Sequence, residues 1–136
     1  MSIGLLERGQ LALQSQRFSS LLRARLTTLY PGKACLELPV DENHEQQHGF
    51  VHGGVISYLA DNTLTFAAGS ILGDCVTSEF KLNYVRPAVG SSLLIAEAEV
   101  IASGKSQAVC RCEVYFVKDG QRRLCAAAQG TIRRME

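Results

Sequence analysis

Residues 53–72 read GGVISYLADNTLTFAAGSIL, and this run decides the fold. It is too long for an ordinary strand and rich in helix formers. Gly53-Gly54 opens it and Gly73 follows it. This punctuation predicts a helix. The run is apolar almost all round, which predicts burial on most of its sides. Ala60, Ala67, Ala68, Gly69 and Ser70 are small, so a second layer can approach closely.

Downstream the pattern changes to alternation. Phe80, Leu82 and Tyr84 share a face opposite Glu79, Lys81 and Asn83. Ala96, Ala98 and Val100 oppose Glu97 and Glu99. Cys110, Cys112, Val114 and Phe116 oppose Arg111, Glu113 and Tyr115, and Leu124, Ala126, Ala128 and Ile132 form a last apolar face. Period two with Pro87 to Gly90, Ser103-Gly104 and Asp119-Gly120 between the runs predicts a four-stranded meander. Upstream, Leu36, Leu38 and Val40 alternate within Lys33 to Val40, another strand. Residues 41–52 are polar, hold three histidines and read as a loop.

Before that, Leu11, Phe18, Leu22 and Leu29 fall on one stripe at helical period, which predicts a helix over the first thirty or so residues, stopped by Pro31-Gly32. Strands with one apolar face must cover something. The only apolar partner long enough is the central helix. The expected fold is α+β: a curved antiparallel sheet wrapped around one long helix, with an N-terminal helical segment over residues 1–32. Alternation does not set the strand order. At 136 residues the chain reads as one domain, since domains commonly run to about 100–150 residues.

Composition narrows the function classes. The net charge is +1 and no basic stripe is visible, which argues against nucleic acid as a partner. No apolar run approaches the roughly 20 residues of a membrane span, and the first residues lack the order of a signal peptide. Five cysteines without framework spacing fit reduced thiols and a cytoplasmic setting. Cys110 and Cys112 are expected in the core rather than on a metal.

The chemistry concentrates around residues 46–65. A helix that starts at Gly53 exposes backbone N–H groups with no intrahelical partner, and the helix dipole favours negative charge there. Gly53 and Gly54 let a substrate come close to that backbone. A carbonyl turning tetrahedral needs such donors. Asp61 is the one carboxylate in the apolar run, and buried carboxylates have a partner or a task. Thr65 lies one turn on, on the same face. Gly53 and Asp61 are eight residues apart on one helix, roughly 12 Å at the helical rise. One carbonyl cannot easily be polarised by the first and attacked through the second. Two antiparallel copies of the helix would bring the pair together, so catalysis through these residues predicts a two-fold oligomer with two equal sites at the subunit interface.

These residues resemble a known signature. The run HGFVHGGVISYLADNTLTFA, with the later segment EFKLNYVRPA at residues 79–88, is similar to hotdog-fold acyl-CoA thioesterases of the phenylacetic-acid-degradation and 4-hydroxybenzoyl-CoA thioesterase type. The resemblance spans roughly residues 33–134. It implies the hotdog fold and hydrolysis of acyl-CoA or aroyl-CoA thioesters, with no cofactor beyond the CoA of the substrate. It implies self-association as a dimer or dimer of dimers. By resemblance, Gly53 donates its N–H to the thioester oxygen, and Asp61 acts as nucleophile or as general base for water. Gln46 stands beside the thioester and the attacking water, and Thr65 assists the acid. His52 shapes the loop and helps polarise the carbonyl. Gly54 is a candidate for contact with the substrate, and Tyr58, Leu59 and Phe80 for contact with its acyl group. Arg86 and Lys105 match the places where basic residues hold the CoA nucleotide.

Three other readings draw on the same residues. His44-Glu45-Gln46-Gln47-His48 fits the H-E-x-x-H zinc motif, and His52 continues the spacing. That reading needs a helix, yet the stretch has no apolar face and ends at Gly49. A hotdog dehydratase would use His52 and Asp61 to move protons at carbon. A module that binds acyl-CoA without hydrolysing it would need neither role.

Overall fold

The computed structural model describes residues 2–136. Its elements are α1 (Leu5–Ser15), α2 (Arg17–Leu22), β1 (Arg25–Tyr30), β2 (Lys33–Pro39), a short 3-10 turn (Glu42–His44), α3 (Gly53–Leu72), β3 (Cys75–Tyr84), β4 (Leu93–Ser103), β5 (Gln107–Lys118) and β6 (Gln121–Arg134). One antiparallel six-stranded sheet in the order β1-β2-β4-β5-β6-β3 wraps around α3. This is the hotdog architecture that the resemblance implies.

The core is the interface between α3 and the sheet. Val55, Ile56, Leu59, Ala60, Leu64, Ala67, Ala68 and Leu72 face Leu36, Leu38, Leu94, Ala96, Cys110, Val114, Ala126 and Ile132. The helix starts at His52, whose Nδ1 accepts from the Gly54 N–H at 2.8 Å. It stops at Gly73, held at φ +82, where a side chain would be strained.

Three expectations need correction. The helix is not buried on most sides. Within one chain only the stripe beginning at Val55 and Ile56 is buried, while Tyr58, Asp61, Asn62, Thr65 and Phe66 stay half-buried on the other flank. The last four strands do not form one meander. Strands β4, β5 and β6 do, but β3 pairs with β6 at the far edge and β4 pairs with β2.

The N-terminal helix does not run to Pro31 either. It breaks at the extended Gln16 and ends at Arg23, whose φ is +64. Residues 25–30 then form a strand, as Thr27, Thr28 and Tyr30 favour. Leu11 and Phe18 are more than half exposed, and Leu29 packs inward from β1. The helical spacing there was mimicry. The β1–β2 register shifts between Leu26 and Thr28, so Leu26 and Leu29 both turn inward although three residues apart.

Candidate active site

Strand β3 leaves α3 through Gly73-Asp74 and runs back along it. That return makes two separate contacts between strand and helix. The Thr77 hydroxyl donates to Asp61 Oδ1 at 2.6 Å, and the Thr65 hydroxyl lies 3.0 Å from Thr77 Oγ1 and 2.9 Å from the Asp61 carbonyl oxygen. Seven residues further along, the Tyr84 hydroxyl donates to the Gly53 carbonyl oxygen at 2.8 Å. Thr65 therefore reaches the carboxylate through Thr77 rather than directly.

Asp61 opens onto a cleft of about 320 Å³ that it shares with Phe18, Ser19, Tyr58, Asn62 and Thr65. A polar network fixes one wall. Tyr58 donates to Ser19 at 2.6 Å, Ser19 donates to Gln16 Oε1 at 2.6 Å, and Asn62 Nδ2 donates to Gln16 Oε1 at 3.0 Å and to Tyr58 Oη at 3.1 Å. Burial raises the Tyr58 pKa above its ordinary value, against the lowering effect of the Ser19 and Asn62 hydrogen bonds, and keeps the phenol a donor. This network ties the α1–α2 junction to the residues on either side of Asp61.

The start of α3 carries a second cleft, about 310 Å³, bounded by Gln46, Phe50, Gly53, Tyr84, Arg86 and Pro87. Val55 N–H donates to the His52 carbonyl oxygen and Gly54 N–H to the His52 ring. Among the described residues, no acceptor takes the Gly53 N–H. Gln46 turns the chain. Its N–H donates to the Phe50 carbonyl oxygen at 2.8 Å, and its side-chain Oε1 accepts from the His48 N–H. The Gln46 amide NH₂ is thereby left as the available donor. The chain around Gln46 is held by Glu45↔Val51 and Phe50↔Val89 bridges.

The sequence candidates thus divide. Gln46, Gly53 and Arg86 meet in one cleft, and Tyr58, Asp61 and Thr65 in the other. Gly54 is exposed beside His52, which caps the helix with its ring outside both clefts. Leu59 is fully buried in the core, and Phe80 packs beside Gly130, where an added Cβ would stand 2.5 Å from Phe80 Cβ. Neither borders either cleft. Lys105 sits in the β4–β5 hairpin, at the opposite end of the sheet from Arg86. Thr77, Tyr84, Asn62 and Gln16 were missed. Thr77 was recoverable, because a strand returning antiparallel from Gly73 must pass Thr65 and Asp61.

The zinc-motif stretch is no helix. His44 is buried, with Nδ1 accepting from the Asp41 N–H at 2.9 Å and Nε2 beside the Leu22 carbonyl oxygen at 2.9 Å. Its ring pins the loop to the end of α2. His48 lies on an exposed turn and His52 caps α3, so the three histidines share no face. Cys110 and Cys112 are core residues, and burial raises both thiols, Cys110 to about 11. Neither is poised as a nucleophile.

Comparison with known proteins fits this geometry. Residues 48–125 match the family model for the thioesterase superfamily. The chain is 32% identical over 102 residues to the 1,4-dihydroxy-2-naphthoyl-CoA hydrolase of Listeria monocytogenes, covering 74% of this chain and 81% of that one. The crystal structure of a thioesterase family protein from Silicibacter pomeroyi superposes with a TM-score of 0.90 at 32% identity, over 96% of this chain and 97% of that one. The PaaI protein of the E. coli phenylacetic acid degradation operon shares the fold, with a TM-score of 0.89 at 22% identity over 97% and 94%. The chain belongs to the thioesterase superfamily and is a thioester hydrolase.

Proposed function

We propose that this protein hydrolyses acyl-CoA or aroyl-CoA thioesters to the free acid and CoA, at a site completed by a second copy of the chain. The observation that carries the reading is the double tether of β3, Thr77 to Asp61 and Tyr84 to Gly53. β3 is an edge strand with one side unpaired in the chain, and exposed edges are rarely left free. Val76, Tyr84 and Val85 on or beside it are exposed, as expected of an interface. A two-fold axis between Phe80 and Lys81 would pair two β3 strands antiparallel and set Thr77 opposite Tyr84 of the partner subunit. The strands would then lie about 4.8 Å apart. Asp61 would face Gly53 of the partner subunit, and the roughly 12 Å between them within one helix would no longer matter.

In that arrangement the thioester oxygen accepts from the Gly53 N–H at the positive end of α3, with the Gln46 amide beside it. Asp61 either attacks the carbonyl carbon, giving a mixed anhydride that water then hydrolyses, or takes a proton from the water that attacks that carbon. Thr77 occupies one carboxylate oxygen and orients the other. Collapse of the tetrahedral species expels CoA thiolate. The same axis carries Arg86 of one subunit toward the end of the partner that bears Lys105, where the CoA phosphates would find both charges. The related CoA hydrolase supports a CoA ester as substrate.

Subunit mixing tests the shared site. Asp61→Asn chains and Gly53→Val chains should each be nearly inactive; a side chain at Gly53 would begin 3.0 Å from Tyr84 Oη and crowd the hydroxyl that holds the Gly53 carbonyl oxygen. Mixed and reassociated, they should recover about a quarter of wild-type thiol release, because random two-fold pairing restores one site in half of the dimers. No recovery from verified mixed dimers would place the site within one chain and refute the reading.

A further inference from the structure

We infer that the groove between α1 and α3 holds the acyl part of the substrate, and that this part is a linear aliphatic chain of medium length. The inference rests on the hydrolase reading above and adds the substrate class. The groove encloses about 490 Å³. Leu5, Gly9 and Ala12 of α1 form one wall, Phe66 and Gly69 of α3 the other, and Leu29 of β1 lies beneath.

The space is held open. Gly9 presses α1 onto β1 so closely that an added Cβ would stand 2.6 Å from Leu26 Cδ2 and 2.8 Å from Leu29 Cδ2. Gln10 Nε2 donates to the Leu26 carbonyl oxygen at 3.1 Å. The C-terminal end of α1 is fixed by Gln16 on Asn62. Anchored at its middle and at its C-terminal end, α1 is kept from settling against α3 to close the gap.

The groove adjoins the Asp61 cleft: Gln16, Asn62 and Thr65 line both. A chain leading away from a thioester carbonyl at Asp61 passes beside these polar side chains before it reaches the apolar walls of the groove. From Thr65 to Gly73 the path follows α3 for roughly 12 Å. A single aromatic ring would fill only its first part and leave apolar wall in water. The far mouth is polar, bounded by Arg8 and Asp74, which limits the chain to one that ends before them.

The test pairs turnover with binding. Wild-type protein should cleave decanoyl-CoA with kcat/KM at least about ten-fold above acetyl-CoA. Ala12 is exposed to the groove and Gly69 has only Cys75 Sγ at 3.5 Å from an added Cβ, so Ala12→Phe and Gly69→Leu should fill the space without disturbing the fold. Both should lower decanoyl-CoA turnover about ten-fold and leave acetyl-CoA turnover unchanged. Calorimetry should show decanoate binding to wild type and its loss in Ala12→Phe. Intact thiol release with an unchanged chain-length profile in both variants would overturn the groove assignment alone. So would wild-type protein that binds no decanoate. Absence of thiol release from every ester would strike the hydrolase reading instead, and decanoate binding would still decide the groove.

Discussion

The two clefts along α3 are chemical opposites. The one at its N-terminus gathers donors and positive charge: the Gly53 N–H, the Gln46 amide, Arg86 and the helix dipole. The one at mid-helix presents an acceptor, the Asp61 carboxylate, behind a hydroxyl relay from Thr65 through Thr77. Thioester hydrolysis needs both, one to stabilise the developing oxyanion and one to act at carbon. A single straight helix cannot bend them together. The lesson is that a cleft at each end of one strand, joined to an unpaired edge, is what the proposed two-fold pairing requires. Under the proposed pairing, two copies would make two whole sites from four halves.

The largest expected effect is on the acceptor half. Asp61→Asn should cut kcat by about 10²–10⁴-fold with the melting temperature nearly unchanged, since the amide still accepts from Thr77. Full activity in steady-state thiol release would end the division of labour between the clefts. Thr77→Val should come next, lowering kcat by roughly ten-fold while KM holds, because one charge-assisted hydrogen bond worth about 1.5–3 kcal/mol is lost from an oriented carboxylate. A variant that raises only KM would make Thr77 a binding residue.

Arg86→Ala probes the donor half at its rim. KM for CoA esters should rise several-fold with kcat unchanged, and the effect should shrink at high salt, as screening of an exposed charge requires. A truncated thioester without the nucleotide should be cleaved equally by both proteins. The smallest effect belongs to His52→Ala. Losing the cap on Gly54 should cost about 1 kcal/mol of stability, read by denaturant unfolding. A much larger drop in kcat than in stability would give His52 a direct part in the chemistry.

Much of this was legible in the residues. The twenty-residue run between Gly53 and Gly73 reads as a helix, and the alternation after it fixed four strands and their inward faces except at Leu124, where a register shift against β5 turns Cys125 into the core instead. Asp61 stood out because a carboxylate in an apolar run demands a reason. Where reading failed, it failed for a stated cause. Leu29 imitated helical spacing because a β-bulge adds one residue to the period of its strand. Leu59 looked like an acyl contact because an all-apolar helix does not announce which flank meets the sheet.

Sequence alone determined the central helix, the strands after it, most of their inward faces and the residue types available for chemistry, because periodicity and glycine punctuation act over a few neighbours. Tertiary structure decided which of those residues meet. The placement of β3 beyond β6, the link from Thr77 to Asp61, the anchoring of α1 at Gly9 and Gln16, and the groove this leaves all depend on contacts between segments far apart in the chain. Such contacts are set by packing many side chains at once, and no local pattern encodes them.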